Sequence, residues 1–423
     1  MKYKECHDRI KQHEFSGLSL WRGLPAHEND ARLSRIVSHL SELCPDSDMS
    51  IFTAPGRTEL AGNHTDHNNG MVLAAAINLD ITAAVAKTQD NKVILHSRGY
   101  DAPFIVVLDD LKPHDDEIGT TRALIRGVAV ALRNSGYATG GFIAVAESII
   151  PAGSGLSSSA ATEVLIACIF NHLYNSGKID PVTIAICSQF AENNFYKKPC
   201  GLMDQIACAS GGAVFIDFKD AVKPAVKKIA GVTGFTGYSL FVVLCGGSHA
   251  DLTNEYASIP KEMKDAALFF KKDSLRSVSE RDFLESIALL RKSLSDRALM
   301  RALHFFAENK RVAKTVDMLS ARMKLEYFGL VKESGSSSWR LLQNCMLPGS
   351  PERQNIVLAL AVTEAFLGDD GACRVHGGGF TGTIQVYVPE KKARDYVLLM
   401  EKLFGEGSVI KLSIREEGAV RIL

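Results

Sequence analysis

The stretch Pro151-Ala152-Gly153-Ser154-Gly155-Leu156-Ser157-Ser158-Ser159-Ala160-Ala161 decides how the chain is read. An apolar run from Gly141 to Ala146 precedes it with strand character, and residues 160–174 follow it with apolar positions at helical spacing. A strand, a turn rich in glycine and serine, and a helix start bring backbone N–H groups and the positive end of a helix dipole to one point, as a phosphate requires. A Ser/Gly loop capped by a serine has the same composition, so the stretch alone supports both readings. It is not a Walker loop, because no G-x-x-x-x-G-K-[ST] occurs in the chain. If a nucleotide binds there, its metal needs oxygen ligands, which Ser159 and a distant carboxylate would supply.

Around this stretch the first half mixes α and β. Strand-like runs occur at 51–54, 72–77, 81–87, 92–97 and 104–108, a helix pattern at 122–134, and helices at 160–174 and 181–195. Residues 213–217 and 240–245 read as strands, 260–333 as mostly helical, 353–366 as a helix, and 372–376 and 383–388 as strands. At 423 residues two domains are expected, and the boundary is placed near 220 in the lysine-rich FKDAVKPAVKK, giving 1–220 and 221–423. Of the first 48 residues only 29–43 carries an amphipathic helix pattern.

Lysine plus arginine (48) equal aspartate plus glutamate (48), which argues against nucleic acid or an anionic membrane as partner. The nine cysteines form no C-x-x-C pair and read as reduced thiols of a cytosolic protein. No run approaches the roughly 20 apolar residues of a membrane helix, and the start, MKYKECHDRIKQHEF, is charged. A cytoplasmic monomer acting on small molecules is expected.

Two further stretches carry chemistry. Residues 56–67, GRTELAGNHTDH, crowd an arginine, two carboxylates, two histidines and an asparagine among small residues. His64 and His67 flank Asp66 as in a metal site, but no third ligand cluster accompanies them. In VHGGGFTG (375–382), Gly377, Gly379 and Gly382 have G-x-G-x-x-G spacing. The alternating strand pattern after them contradicts dinucleotide binding, which needs a helix there. A glycine turn remains, structural or making room for a ligand.

In this order and with these gaps, GRTELAGNHTDHNNG, PAGSGLSSSAA and HGGGFTG resemble the three signature motifs of the GHMP kinases, the first being that of the galactokinase family; the resemblance runs from about Ala54 to Val388. It implies an α+β, two-domain GHMP kinase fold. The N-terminal domain is ribosomal-protein-S5-like, the C-terminal domain ferredoxin-like, and the active site lies in the cleft between them. The implied activity is transfer of the ATP γ-phosphoryl group to the anomeric hydroxyl of galactose, with ATP and Mg2+ as cofactors.

Carried over by motif, Asp204 in PCGLMDQ would be the catalytic carboxylate and Arg57 its partner. Gly153, Ser154, Gly155, Leu156, Ser157, Ser158 and Ser159 would wrap ATP, and Ser159 and Glu192 would hold magnesium. Asn63, His64, Asp66 and Gly201, with Tyr256 of HADLTNEY (249–256), would line the sugar pocket. Glu59 has no assigned role beyond a local structural or solvated one.

Four positions depart from the family pattern. Asn63 stands where it has glutamate, His67 where it has tyrosine, His376 where it has threonine, and Thr381 where it has glycine. Replacing a carboxylate at 63 while adding an imidazole at 67 relieves repulsion toward an anionic C6 group, so a hexuronate 1-kinase is the alternative substrate reading. A non-catalytic sugar and ATP sensor is the alternative of another class. The complete serine loop, Arg57 and Asp204 favour the enzyme.

Overall fold

Two long strands organise the first half of the chain. β1 (Met49–Ala61) is buried throughout and β2 (Met71–Lys87) at all but its two ends, and they pair antiparallel. Strands covered on both faces read as near-continuous apolar runs, as most of β2 does. The break expected between 77 and 81 is absent, because the polar residues there are satisfied inside the strand. Asp80 accepts hydrogen bonds from the Trp21 indole, Arg32, Thr53, Thr82 and Arg415, while Asn78 bonds Arg22 and Ser413. The computed structural model describes residues 1–15, 18–151, 153–232, 234–246 and 252–423.

The remaining strands are β3 (Lys92–Ser97), β4 (Phe104–Val107), β5 (Phe142–Ser148), β6 (Ala213–Asp217), β7 (Ala225–Ile229), β8 (Tyr238–Leu244), β9 (Ala372–His376), β10 (Thr383–Pro389), β11 (Val409–Leu412) and β12 (Val420–Arg421). The first sheet runs β12-β1-β2-β5-β3-β4, with β6 on the other half of β2 and β7 on β6; only β3 and β5 pair in parallel. The second, β11-β8-β10-β9, is antiparallel and carries the helices Asn355–Leu367 and Ala393–Phe404.

Sheet pairing corrects the boundary drawn at 220. Asp217 pairs with Ala225 in the β6–β7 hairpin, so residue 220 lies in its turn and the first sheet continues to Ile229. Of the four lysines that suggested a linker, Lys219 and Lys223 lie in that turn, and Lys227 and Lys228 are exposed on the edge strand β7, a usual guard against edge pairing. The first sheet is completed from the far end of the sequence: β12 pairs with Phe52 and Thr53, and Ile414 bridges Ile77. The helix Asp296–Ser320 lies on β1 and β2 and against the helix Lys324–Ser337, which in turn covers β9. It thereby joins the two sheets.

The helices expected at 122–134, 160–174 and 353–366 appear as Thr121–Asn134, Ser158–Tyr174 and Asn355–Leu367. The one expected at 181–195 ends at Ala191 and passes into a π-helical turn, Glu192–Tyr196. Tyr3–Lys11 and Met203–Ser210 are helices the periodicity did not reveal, being 9 and 8 residues long. Among the described residues no helix is long and apolar enough to cross a membrane.

Candidate active site

β1 changes register between Pro55 and Arg57 and again between Glu59 and Ala61. Proline lacks the N–H that a ladder needs and is tolerated at such a bulge. A Cβ on Gly56 would lie 2.6 Å from the Leu156 carbonyl oxygen, so glycine here lets the serine-rich loop rest directly on the strand. The Arg57 N–H then donates to Leu156 O at 3.1 Å.

The Arg57 side chain grips Asp204 at both ends. Nε donates to Oδ1 at 2.7 Å and Nη2 to Oδ2 at 2.9 Å, while Nη1 donates to the Gly155 carbonyl. Ser157 Oγ donates to the same Oδ2 at 2.5 Å. Arg57, Asp204 and the loop are therefore one hydrogen-bonded unit. Burial alone would raise the Asp204 pKa, but Arg57, Ser157 and Lys198 outweigh it and hold the carboxyl below its ordinary value. Its place in the first turn of Met203–Ser210 also favours the anion.

In the loop, Gly153, Gly155 and Ser157 have φ of 69°, 68° and 63°, and Ser157 is the N-cap of Ser158–Tyr174, which starts two residues before the expected Ala160. Ser158 and Ser159 are half-buried and open the helix, where the first N–H groups have no intrahelical acceptor. Ser154 Oγ is turned onto Pro151 O at 2.6 Å and the Leu156 side chain is fully buried, so these two offer a ligand only their backbone. Residue 152 lies outside the described residues.

Ser159 Oγ donates to Glu192 Oε1 at 2.9 Å, bringing the two expected magnesium ligands together. A hydroxyl and a carboxylate are the hard oxygen donors that magnesium takes, so the pair fits that ion. Sequence reasoning missed three neighbours. Lys198 Nζ stands 2.9 Å from Glu192 Oε1, and the Gln205 amide donates to Glu192 Oε2 at 2.8 Å and to Glu163 Oε2 at 3.2 Å. Burial, with Glu192 close by, pushes the Glu163 carboxyl well above the usual range. Four residues from Ser159 on one helix, Glu163 shares its face; that spacing was the available signal.

On the other side of Asp204 the sugar motif folds against PCGLMDQ. A Cβ on Gly201 would stand 2.0 Å from Asp66 Oδ2, so only glycine admits that carboxylate, whose Oδ1 accepts the His67 N–H at 3.0 Å. His64 Nε2 donates to Gly378 O at 3.0 Å; burial first, then His67, lowers its pKa to about 4, so the ring is neutral. Tyr256 donates to Gly379 O at 3.0 Å and packs edge-on to Phe380, while His249 and the rest of 249–251 lie outside the described residues.

Asn63 is the main correction. It was expected to meet the sugar, yet it is 0% exposed and its amide is fully engaged. Nδ2 donates to Gly377 O at 2.8 Å and to Glu59 Oε1 at 3.3 Å; Oδ1 accepts from Asn344 Nδ2 at 2.9 Å and Ser338 Oγ at 3.3 Å. Glu59 is not solvated either, being ion-paired with Arg374 at 2.9 Å with both side chains buried.

The glycine turn's surroundings are likewise structural. His376 Nε2 accepts the Glu59 N–H at 3.3 Å and meets Thr58 Oγ1 at 3.0 Å, and Gln385 donates to Thr58 Oγ1 at 2.7 Å. Burial, then Arg57 and Arg374, drive the His376 pKa well below its ordinary value. Through these contacts the second sheet seats on β1 beside Arg57.

Comparisons with known proteins bear on the fold and on two stretches of the sequence. Residues 42–87 match the galactokinase galactose-binding signature and residues 123–212 the GHMP kinases N-terminal domain. Lactococcus lactis galactokinase, solved with galactose, superposes with a TM-score of 0.79 at 22% identity, covering 92% of this chain and 100% of that one. Methanococcus jannaschii mevalonate kinase gives 0.61 at 16% identity over 88% and 99%. Streptococcus pneumoniae phosphomevalonate kinase, in complex with phosphomevalonate and AMPPNP, gives 0.56 at 14% over 88% and 99%. At these identities the superpositions establish the fold, which is the two-domain GHMP kinase fold.

Proposed function

We propose that this chain, which belongs to the GHMP kinase superfamily and carries the galactokinase sugar signature, is an ATP-dependent sugar 1-kinase whose substrate is galactose. The observation that carries the reading is the Arg57–Asp204 pair, tied to the serine-rich loop through Gly155 and Ser157 and flanked by Asp66 and Gly201.

A carboxylate offers about four lone-pair directions. Three on Asp204 are occupied by Arg57 Nε, Arg57 Nη2 and Ser157 Oγ. The fourth is free for the anomeric hydroxyl, and the Asp204 side chain is 28% exposed to receive it. An aspartate held ionised by arginine is a weak base, so it orients the hydroxyl and takes its proton late, which suits a loose phosphoryl-transfer transition state. Arg57 uses three of its five N–H groups on Asp204 and Gly155; the other two remain to steady charge on the transferring phosphoryl.

The amides of Gly153 to Ser159 would wrap the ATP phosphates, and Ser159 and Glu192 would hold magnesium. When bound, that ion neutralises phosphate charge. Neutral His64, Asp66 and the wall formed by Gly201 and Tyr256 would take the sugar. The hexuronate alternative loses its main support, because Asn63 faces the protein interior rather than a substrate.

The test is ADP release with ATP, magnesium and galactose, galacturonate, glucuronate, arabinose or N-acetylgalactosamine. Turnover of galactose above the others is expected. Preference for galacturonate overturns the substrate assignment, and galactose binding without ADP formation overturns catalysis.

A further inference from the structure

Glu192 Oε1 receives two donors at the same distance, the Ser159 hydroxyl and the Lys198 ammonium, each at 2.9 Å. Its second oxygen accepts the Gln205 amide, and the side chain is 2% exposed. Among these partners only Lys198 carries charge, and its side chain is 60% exposed. Its backbone N–H is fixed to Glu192 O at 3.1 Å, directly after the π-helical turn. The stem is thus anchored at the mouth of the metal position while the four-carbon side chain is free to turn. A lysine ammonium is a compact cation of low geometric demand, and here it holds the carboxylate oxygen that a divalent ion would use, the same oxygen that accepts the Ser159 hydroxyl.

Two cations cannot share one carboxylate oxygen without repulsion, and among the described residues the neighbouring carboxylates, Asp204 and Glu163, are poor hosts for the displaced ammonium. Asp204, whose pKa Lys198 helps to lower, already holds Arg57 and Ser157. Glu163 is shut in at 0% exposure. A phosphate oxygen of a bound nucleotide would offer such an ammonium an anionic partner.

We propose that Lys198 is a tethered counter-ion: it fills the divalent-cation position at Glu192 and Ser159 while the site is empty, yields it on loading, and then turns to a nucleotide phosphate oxygen. The proposal rests on the reading of Glu192 and Ser159 as metal ligands.

Mn2+ binding to the full chain, followed by the paramagnetic resonance signal of free Mn2+ with and without ADP, tests both steps. Lys198→Met keeps the length of the stem and removes the charge, at a side chain exposed enough not to endanger folding. Without nucleotide it should bind Mn2+ about fivefold more tightly than the parent, the ratio set by losing a partly exposed ion pair of roughly 1 kcal/mol. Lys198→Arg, which keeps the competing charge, should not gain. With ADP the advantage of Lys198→Met should disappear, since the contact with phosphate is lost as well. Equal Mn2+ affinity of the parent and Lys198→Met without nucleotide overturns the proposal. Glu192→Gln is the separate reference: if it binds Mn2+ like the parent, the ligand assignment itself fails, whatever Lys198→Met does.

Discussion

Replacing Asn63 with alanine separates a sugar ligand from a structural joint. The side chain is fully buried and hydrogen-bonds four residues. Two of its partners have other means of satisfaction: Glu59 keeps Arg374 at 2.9 Å, and the Ser338 hydroxyl can rotate. Two do not recover fully. Gly377 O loses a donor at 2.8 Å, and the Asn344 amide keeps only its 3.2 Å bond to Gly378 O. Each buried polar group left without a partner costs about 1–3 kcal/mol, and with the small void added the total is about 4 kcal/mol. With an unfolding entropy of about 2.1 cal/mol/K per residue, that lowers the thermal midpoint of a 423-residue chain by roughly 5 °C. Calorimetry in parallel with initial rates is the assay. The midpoint should fall, with kcat reduced because the glycine turn beside Arg57 loosens, and the galactose KM should change less than kcat. An unshifted midpoint with a KM raised tenfold would refute the structural assignment and return Asn63 to the sugar pocket.

Asp204→Asn should lower kcat by about 10²–10⁴ with little change in either KM, as removal of a proton-accepting group does; retention of full activity in the ADP assay refutes its role. Gly201→Ala places a methyl 2.0 Å from Asp66 Oδ2, so Asp66 must leave its position. The sugar KM should rise at least about tenfold, about 1.4 kcal/mol of lost binding, while the ATP KM holds; parallel changes in both contradict the placement of the sugar. Glu163 has a folded-state pKa raised by burial and Glu192, so the folded chain binds a proton that the unfolded chain releases, and stability falls as pH rises above the unfolded value near 4.5. Glu163→Gln, a mimic of the protonated acid, should match the parent at low pH and exceed it progressively above, by up to about 1.4 kcal/mol per pH unit. Thermal midpoints measured with chelator across pH 4–8 check this, and a difference independent of pH contradicts it.

The local chemistry of the site was legible where it is written contiguously. The serine loop, Arg57 in its glycine-flanked strand and Asp204 beside Gly201 lie in short runs whose residue types announce their task, and the structure brings them within hydrogen-bond distance. What escaped depends on contacts distant in sequence. Asn63 looked like a ligand because it stands in the same short motif as His64 and Asp66, and its burial is decided by Ser338, Asn344 and Gly377, about 280 residues or more away. Asp80 looked like the end of a strand because nothing adjacent shows that Arg32 and Arg415 will meet it. The residue-220 boundary failed for a related reason, since an edge strand rich in lysine has the composition of a linker.

The return of residues 414–423 to the first sheet bears on how the chain is made. β1 obtains its outer neighbour only from Val420 and Arg421, Ile51 donates to Leu423 O, and Arg415 reaches Asp80 from 335 positions away. On a ribosome the strand that carries Arg57 emerges long before Val420 and Arg421, and it waits with one edge open until they follow. Contacts of such sequence separation form slowly, and an unpaired edge is an invitation to association in the interval. Nascent chains stalled before residue 414 should therefore depend on chaperones far more than chains stalled after 421 and held clear of the exit tunnel.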